Sequence, residues 1–464
     1  MNKQLLNRQS TPSFFPPLKD SHGKWHRDPE SKANLFVQCW SAKNQLPEEM
    51  SEQAFFASSP QMPATFAIRR RTARRLLLAL REDQATGPDD FGAVILKRLA
   101  KFLDVPLAIL CRRIFNEATW PTKWKRHNVI ALFKKGSPYL PSQYRGIHLT
   151  CILSKTVERM IGEVLVPFLE ARGFGDAQWA FRKKSSARDL VTMCLAKWTL
   201  LICSGRKIGI YLSDISGAFD KVSRCLLLGK LAQLGLPDTF LDFLNSYLLP
   251  REGYVTVENA VSEAMCLCDM VFQGTVLGPC LWNAFFGDVA MAVPCSSNQI
   301  VNLFADDLTA TTSCLLTVSN DILMDELHEM QHRTHEWGQR NQVTFDPAKE
   351  HFRILHPRSG DGDPFKLLGT QIDCKLTMVP CIEGILSKGR PKIRAMLRTK
   401  DMYSVQAMLN QYKTHVWSVT EYHNGALVLA LPPQLQRIDK MQRWFLHELG
   451  MVDTEAFVLH NLFP

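Results

Sequence analysis

The stretch Asn302-Leu303-Phe304-Ala305-Asp306-Asp307-Leu308 most constrains what this chain can become. Its flanks, Ile300 to Leu303 and Leu308 to Thr312, are apolar and β-branched, which predicts two strands of a hairpin. Two adjacent carboxylates then stand in the tight turn between them. Neighbouring Asp side chains drawn out of water repel, and each stays ionised only with a cation close by. At an exposed tip the same pair is an ordinary solvated turn. A third Asp in a similar setting shifts the balance toward a metal site.

That third residue is Asp214, which closes the run Lys207-Ile208-Gly209-Ile210-Tyr211-Leu212-Ser213-Asp214. The run is short, apolar and bounded by Gly205 and by Ser216-Gly217, so it reads as a buried strand. A carboxylate at the end of such a strand, beside the carboxylate hairpin, would complete a two-cation site. Two Mg²⁺ ions about 3.5–4 Å apart serve in-line phosphoryl transfer, one at the attacking oxygen and one at the leaving group. Mg²⁺ takes hard oxygen ligands, several of them from substrate phosphates, so few protein carboxylates suffice.

Three blocks follow one another in order: Asp214-Ile-Ser-Gly-Ala-Phe219-Asp220, Gln273-Gly-Thr-Val-Leu-Gly-Pro279 and Phe304-Ala-Asp-Asp307. Together they resemble motifs A, B and C of reverse transcriptases, most closely those of non-LTR (LINE-type) retrotransposons. The resemblance spans roughly residues 85 to 450 and is most specific over 120 to 372. It implies an α+β right-hand polymerase with fingers, palm and thumb. The palm would be an antiparallel sheet with helices on one face. The implied division is an N-terminal extension over 1–60, partly disordered, and fingers with supporting helices over 61–205. The palm follows over 206–375, with a fingers excursion near 236–268, and a helical thumb and C-terminal region over 376–464.

Composition is compatible with this. A formal net charge of +10 and a pI near 9.0 suit a polyanionic partner. The cysteines form no C-x-x-C pair and no paired Cys/His spacing of a zinc site, so they read as reduced thiols of an intracellular protein in the cytoplasm, the nucleus or both. Cys266 and Cys268 alternate in a predicted strand and point to one face. No apolar run approaches the roughly 18–20 residues that span a bilayer, so no membrane partner is expected.

Along the chain, residues 66 to 82 set six arginines around Leu76, Leu77, Leu78 and Leu80, a basic amphipathic helix open both to solvent and to a phosphate backbone. Thr86-Gly87-Pro88-Asp89 is a turn matching the family's element before the fingers. A strand over Asn128 to Phe133 and a second element over Tyr144 to Leu149 resemble the fingers hairpin. Residues 150 to 172 predict a helix on which Lys155, Glu158 and Arg159 read locally as a charged face. Helices are further expected over 189–203, 222–234, 276–292 and 320–340. A strand pair is expected within 253–272, its second strand running from Met265 to Val271. His328, His332 and His335 share the solvent face of the helix 320–340, opposite Leu323, Leu327, Met330 and Trp337. Residues 343 to 355 form a short strand region that includes Lys349.

The resemblance assigns roles residue by residue. Asp214, Asp306 and Asp307 are the catalytic and metal-binding carboxylates for two Mg²⁺, with Mn²⁺ as an alternative ion. The reaction is attack of a primer 3′-hydroxyl on the α-phosphate of a dNTP. Phe219 is the aromatic that fills the volume a 2′-hydroxyl would need. Gln273 and Gly274 approach the template–nucleotide pair. Arg145 and Lys134 or Lys135 contact the triphosphate, Arg through its bidentate fork. In place of the family's Pro after that Arg stands Gly146, and in place of its Ser stands Gly278. Lys349 is a candidate general acid for the leaving pyrophosphate. Leu368 and Gly369 belong to the primer-grip hairpin. Lys388, Arg390, Lys392 and Arg394 face the nucleic-acid backbone from the thumb. The partners implied are an RNA template, a DNA primer and dNTPs. The chain leaves no room for an N-terminal nuclease domain and shows no C-terminal Cys/His cluster, so nicking of a target is expected from a separate endonuclease. Two other readings are a degenerate or domesticated copy that only binds nucleic acid, and a group II intron-type reverse transcriptase.

Overall fold

The computed structural model describes residues 15–41, 46, 62, 67–172, 175–215 and 217–452. The expectations for residues 1–14, for most of 42–66 and for 453–464 lie outside the described residues. The chain forms two compact units. The first comprises Met1–Gln178, Ile215–Ala292 and His335–Phe345, and the second comprises Trp179–Asp214, Val293–Thr334 and Asp346–Pro464. Helices and sheets are mixed in both, as expected of an α+β protein. No helix among the described residues is long and apolar enough to cross a membrane.

In the first unit a four-stranded sheet runs in the order Tyr144–Leu149, Arg126–Phe133, Arg251–Val257, Ala260–Leu267. The two middle strands are parallel and the outer pairings antiparallel. The helix Pro29–Ser41 lies on this sheet, where Phe36 meets Tyr144 edge-on at 5.3 Å. A Cβ at Gly146 would come within 2.9 Å of Val129 and 3.2 Å of Trp40, which accounts for a glycine at that position. The helix Ile152–Arg172 follows the predicted span, with Val157, Ile161, Leu165 and Leu169 on its buried stripe.

Several expectations need correction here. The last hairpin turns at Glu258 and Asn259, so its second strand is Ala260–Leu267 rather than Met265 to Val271. Glu258 takes the left-handed conformation (φ 56°) that closes so tight a turn. The helix expected over 276–292 is two helices, Gly278–Phe286 and Val289–Ala292. Between them the Asp288 carboxylate is drawn inward to Lys230 Nζ at 2.8 Å, and Trp337 Nε1 donates to it at 3.1 Å. Glu158, expected on a charged helix face, is wholly buried.

The second unit centres on an antiparallel sheet in the order His351–Leu355, Arg206–Asp214, Asp307–Leu315, Ile300–Phe304. The expected strand ending at Asp214 is present and is buried on both sides, so helices cover both faces rather than one. Ile208, Ile210 and Leu212 join Leu190, Leu195 and Trp198 of the helix Ala187–Cys203 in one core. The alternate residues face the other way. There Gly209 leaves room for Leu323 and Leu327, each 3.1 Å from where its Cβ would stand, and Tyr211 stacks on Phe352 at 5.3 Å. Those leucines belong to the helix Asn320–Arg340, found over the expected span. His328 and His332 are exposed on it, His328 lying against Phe352. Lys349 lies in the 3-10 turn Pro347–Lys349 just before the strand His351–Leu355, not within a strand.

Candidate active site

Asp214 is the last residue of its strand and pairs directly with Asp307, the first residue of the next. Asp306 stands with Ala305 in the two-residue turn between Phe304 and Asp307. Ala305 has φ 57°, a left-handed conformation that costs a residue with a Cβ about 1–2 kcal/mol. The hairpin thus holds a strained turn at the point where the carboxylates meet.

The electrostatics of this group are unbalanced. Burial, then the charges of Asp306 and Asp214, push the Asp307 carboxyl up to about 7, against the opposing pull of Lys349. Lys349 Nζ donates to Asp214 Oδ2 at 2.6 Å and lies 3.3 Å from Asp346 Oδ2. Burial lowers the Lys349 pKa, but its bonds to Asp214 and Asp346 outweigh this and hold it above the ordinary lysine value. Among the described residues no group of three or more His, Cys, Asp or Glu converges tightly enough to chelate a metal by itself. The donor set nonetheless suits a hard divalent cation completed by phosphate oxygens. It offers carboxylate oxygens only, and one carboxyl is held toward its neutral form by burial and then by its like-charged neighbours.

The primer-grip residues predicted from sequence lie in the same unit. Leu368 (φ 46°) and Gly369 (φ 92°) form the turn between the short strands Phe365–Leu367 and Thr370–Ile372. Tyr422 escaped the sequence reading. Its hydroxyl donates to Leu368 O, and its ring lies 3.4 Å from where a Gly369 Cβ would stand. Burial and then the charge of Asp307 raise the Tyr422 pKa, which puts the phenol within electrostatic reach of that carboxylate. Nothing in the local helical pattern around Tyr422 marks it. Lys388, Arg390, Lys392 and Arg394 are all exposed on the helix Val379–Leu397. Lys392 Nζ already donates to His415 O at 2.8 Å.

The first unit holds the other predicted residues. Arg145 faces Leu132 across the hairpin of Arg126–Phe133 and Tyr144–Leu149, and Lys134 and Lys135 begin the loop that joins its two strands; all three side chains are exposed. Phe219, half-buried, lies in the 3-10 turn Ala218–Asp220, and its carbonyl accepts from Val271 N at 3.1 Å. Gln273 Nε2 donates to Asp220 Oδ1 at 3.4 Å. Gly274 has φ 91°, and a Cβ there would stand 2.4 Å from His148 O, so only glycine fits.

Beneath this loop lies a buried polar network that the sequence did not reveal. Glu158 Oε2 accepts from Val276 N at 2.6 Å, from Leu277 N at 3.2 Å and from the Tyr247 hydroxyl at 3.1 Å. Arg251 donates to Tyr247 O at 2.9 Å and to His127 Nε2 at 3.0 Å, and its guanidinium lies 3.8 Å from the centre of the Phe272 ring. Because His127 accepts at Nε2, its proton sits on Nδ1 and is donated to His148 Nδ1 at 3.1 Å. Both imidazoles are therefore neutral. Burial and then Arg251 bring His148 down to about 4, and the same causes put His127 well below its ordinary value.

In the second unit, paired carboxylates on adjacent antiparallel strands make a candidate nucleotidyl-transfer site; the first unit carries a loop that requires glycine at 274 and a basic hairpin. The profile of the family described as "Reverse transcriptase (RNA-dependent DNA polymerase)" matches residues 133–372. The chain belongs to this family. It is also similar to a Drosophila melanogaster protein named "Probable RNA-directed DNA polymerase from transposon X-element", with 25% identity covering 92% of this chain and 49% of the relative. To the "RNA-directed DNA polymerase from mobile element jockey" of the same species it is 25% identical, over 94% of this chain and 50% of the relative. A third, from transposon BS, is 30% identical over 48% of this chain and 25% of its own length. These relatives agree with the LINE-type character of the three sequence blocks. The chain spans about half the length of the first two relatives.

Proposed function

We propose that this chain is an RNA-directed DNA polymerase of a non-LTR retrotransposon, extending a primer 3′-hydroxyl with dNTPs on an RNA template. The observation that carries this reading is the direct pairing of Asp214 with Asp307, with Asp306 in the adjoining turn. These carboxylates would hold two Mg²⁺, or Mn²⁺ in their place. Such ions, when bound, lower the pKa of an attacking hydroxyl and neutralise charge on phosphate oxygens. Lys349, already bonded to Asp214, would give its proton to the leaving pyrophosphate. Phe219 would exclude a 2′-hydroxyl. Gln273 and Gly274 would meet the nascent pair, and Arg145, Lys134 and Lys135 would hold the triphosphate. Leu368 and Gly369 would grip the primer, and Lys388, Arg390, Lys392 and Arg394 the backbone of the duplex.

On this reading the antiparallel sheet is the palm (206–375), the hairpin of Arg126–Phe133 and Tyr144–Leu149 belongs to the fingers (61–205), and the helical region over 376–464 is the thumb. A separate endonuclease would supply the nicked target. The test is primer extension on an RNA template with dNTPs and Mg²⁺ or Mn²⁺, beside an Asp306→Ala, Asp307→Ala double variant. Extension by the wild type alone supports the polymerase and its carboxylate site together. A folded wild type that extends nothing with either ion would leave a nucleic-acid-binding remnant.

A further inference from the structure

We propose that Trp282 is a positioning residue for sugar selection, acting as the fixed floor beneath the Phe219 ring. The inference rests on the reading of Phe219 as the ring that excludes a 2′-hydroxyl. Trp282 lies on the helix Gly278–Phe286, wholly buried, and stacks on Phe219 with centroids 5.6 Å apart and planes 26° apart. The stack continues on its other side. Trp282 meets Phe286 at 5.3 Å and 25°, and Phe286 meets Trp337 edge-on at 5.4 Å.

The far end of this aromatic column is anchored by charge. Trp337 Nε1 donates to Asp288 Oδ1, and Asp288 pairs with Lys230 at 2.8 Å in a setting where both side chains are 1% exposed. Lys230 Nζ also donates to Phe285 O and lies 4.7 Å from the ring centres of both Phe285 and Trp337. A column packed this closely has no slack. The main chain at Phe219 is tied to Val271, and its ring rests on Trp282. Steric exclusion of one hydroxyl depends on sub-ångström placement of the excluding ring. A smaller side chain at 282 opens space below Phe219, lets the ring drop, and frees volume for the hydroxyl.

The experiment uses the full chain, an RNA template and a DNA primer. It measures kcat/KM for single additions of a dNTP and of the matching rNTP, and the Kd of each nucleotide for the complex with a dideoxy-terminated primer. The second readout needs no turnover. Variants are Phe219→Val, Trp282→Leu and Trp282→Phe, each checked for cooperative thermal unfolding; Trp282→Phe carries the test if the leucine variant does not fold.

The expected result is a large fall in the dNTP-over-rNTP ratio for Phe219→Val. Trp282→Leu should lower it by about tenfold, the scale of one misfitted group in a pocket, and Trp282→Phe by less. The fall should come from a gain with rNTP. A purely structural role for Trp282 would lower both substrates together and leave the ratio unmoved. An unchanged ratio in the Trp282 variants, beside a lowered one in Phe219→Val, overturns this inference and leaves the polymerase reading standing. A Phe219→Val ratio equal to wild type, or a wild type that binds both sugars alike, overturns the gate and the inference with it.

Discussion

Asp307 and Glu158 are both carboxylates drawn out of water, and burial is the leading cause that raises the pKa of each. Their neighbours differ in sign. Around Glu158, Arg251, the Val276 and Leu277 amides and the Tyr247 hydroxyl all favour the charged form. Around Asp307, the next two influences are the like charges of Asp306 and Asp214, and Lys349 opposes them. The first arrangement is compensated on one side: three donors at fixed positions meet Oε2, while Oε1 is buried without a hydrogen bond. The second sets Lys349 against three neighbouring carboxylates, and keeps a strained Ala305 at its turn. The contrast separates charge met by donors within the fold from charge that like-charged neighbours leave uncompensated.

The sharpest way to break this comparison is Asp307→Asn. On the proposed function, primer extension should fall on the order of 10³-fold, since an electrostatic group at the reacting phosphate would be lost. The thermal midpoint should hold or rise, because the change removes like-charge repulsion. A clear fall in the midpoint would mean that Asp307 is as structurally compensated as Glu158.

Glu158→Gln should behave in the opposite way. The side chain keeps its size but loses charge-assisted bonds to two amides and a phenol, so unfolding stability should fall by about 2–4 kcal/mol in denaturant titration. A loosened loop at 273–278 should raise KM for dNTP more than it lowers kcat. Unchanged stability would remove the network from the account.

The smallest effect is a pH dependence carried by the two buried histidines. In the unfolded chain each binds a proton near pH 6.5, whereas in the folded protein His148 does so only at about 4 and His127 well below its ordinary value. Between those limits the unfolded state holds more protons, so stability is lost as pH falls from 6.5 toward 4. Glu158 and Asp307, both raised in the folded state, work in the other direction from their raised values, about 7 for Asp307, down to the ordinary carboxylate range. The histidine contribution is the difference in urea midpoints between wild type and His148→Asn, which should shrink as pH falls from 6.5 toward 4.

Much of the framework was legible without coordinates. Alternation and β-branching located the strands at Asp214 and on both sides of the carboxylate turn, and helical periodicity marked Ile152–Arg172 and Asn320–Arg340. Short-range signals were weaker where a tertiary partner overrode them. The break after Phe286 follows from the pull of Lys230 on Asp288, and the start of the strand at Ala260 from a turn built on Glu258.

By itself the sequence determined the order of elements, the three carboxylates and the glycine at 274, because apolar period, turn chemistry and motif spacing are local properties. Only the tertiary structure decided which charges are compensated. Glu158 meets Val276 across 118 residues, Lys349 meets Asp214 across 135, and Tyr422 meets Leu368 across 54. A charged side chain reads the same in sequence whether water or a buried amide will satisfy it. That choice depends on packing between segments far apart in the chain, and packing also put Trp282 beneath Phe219.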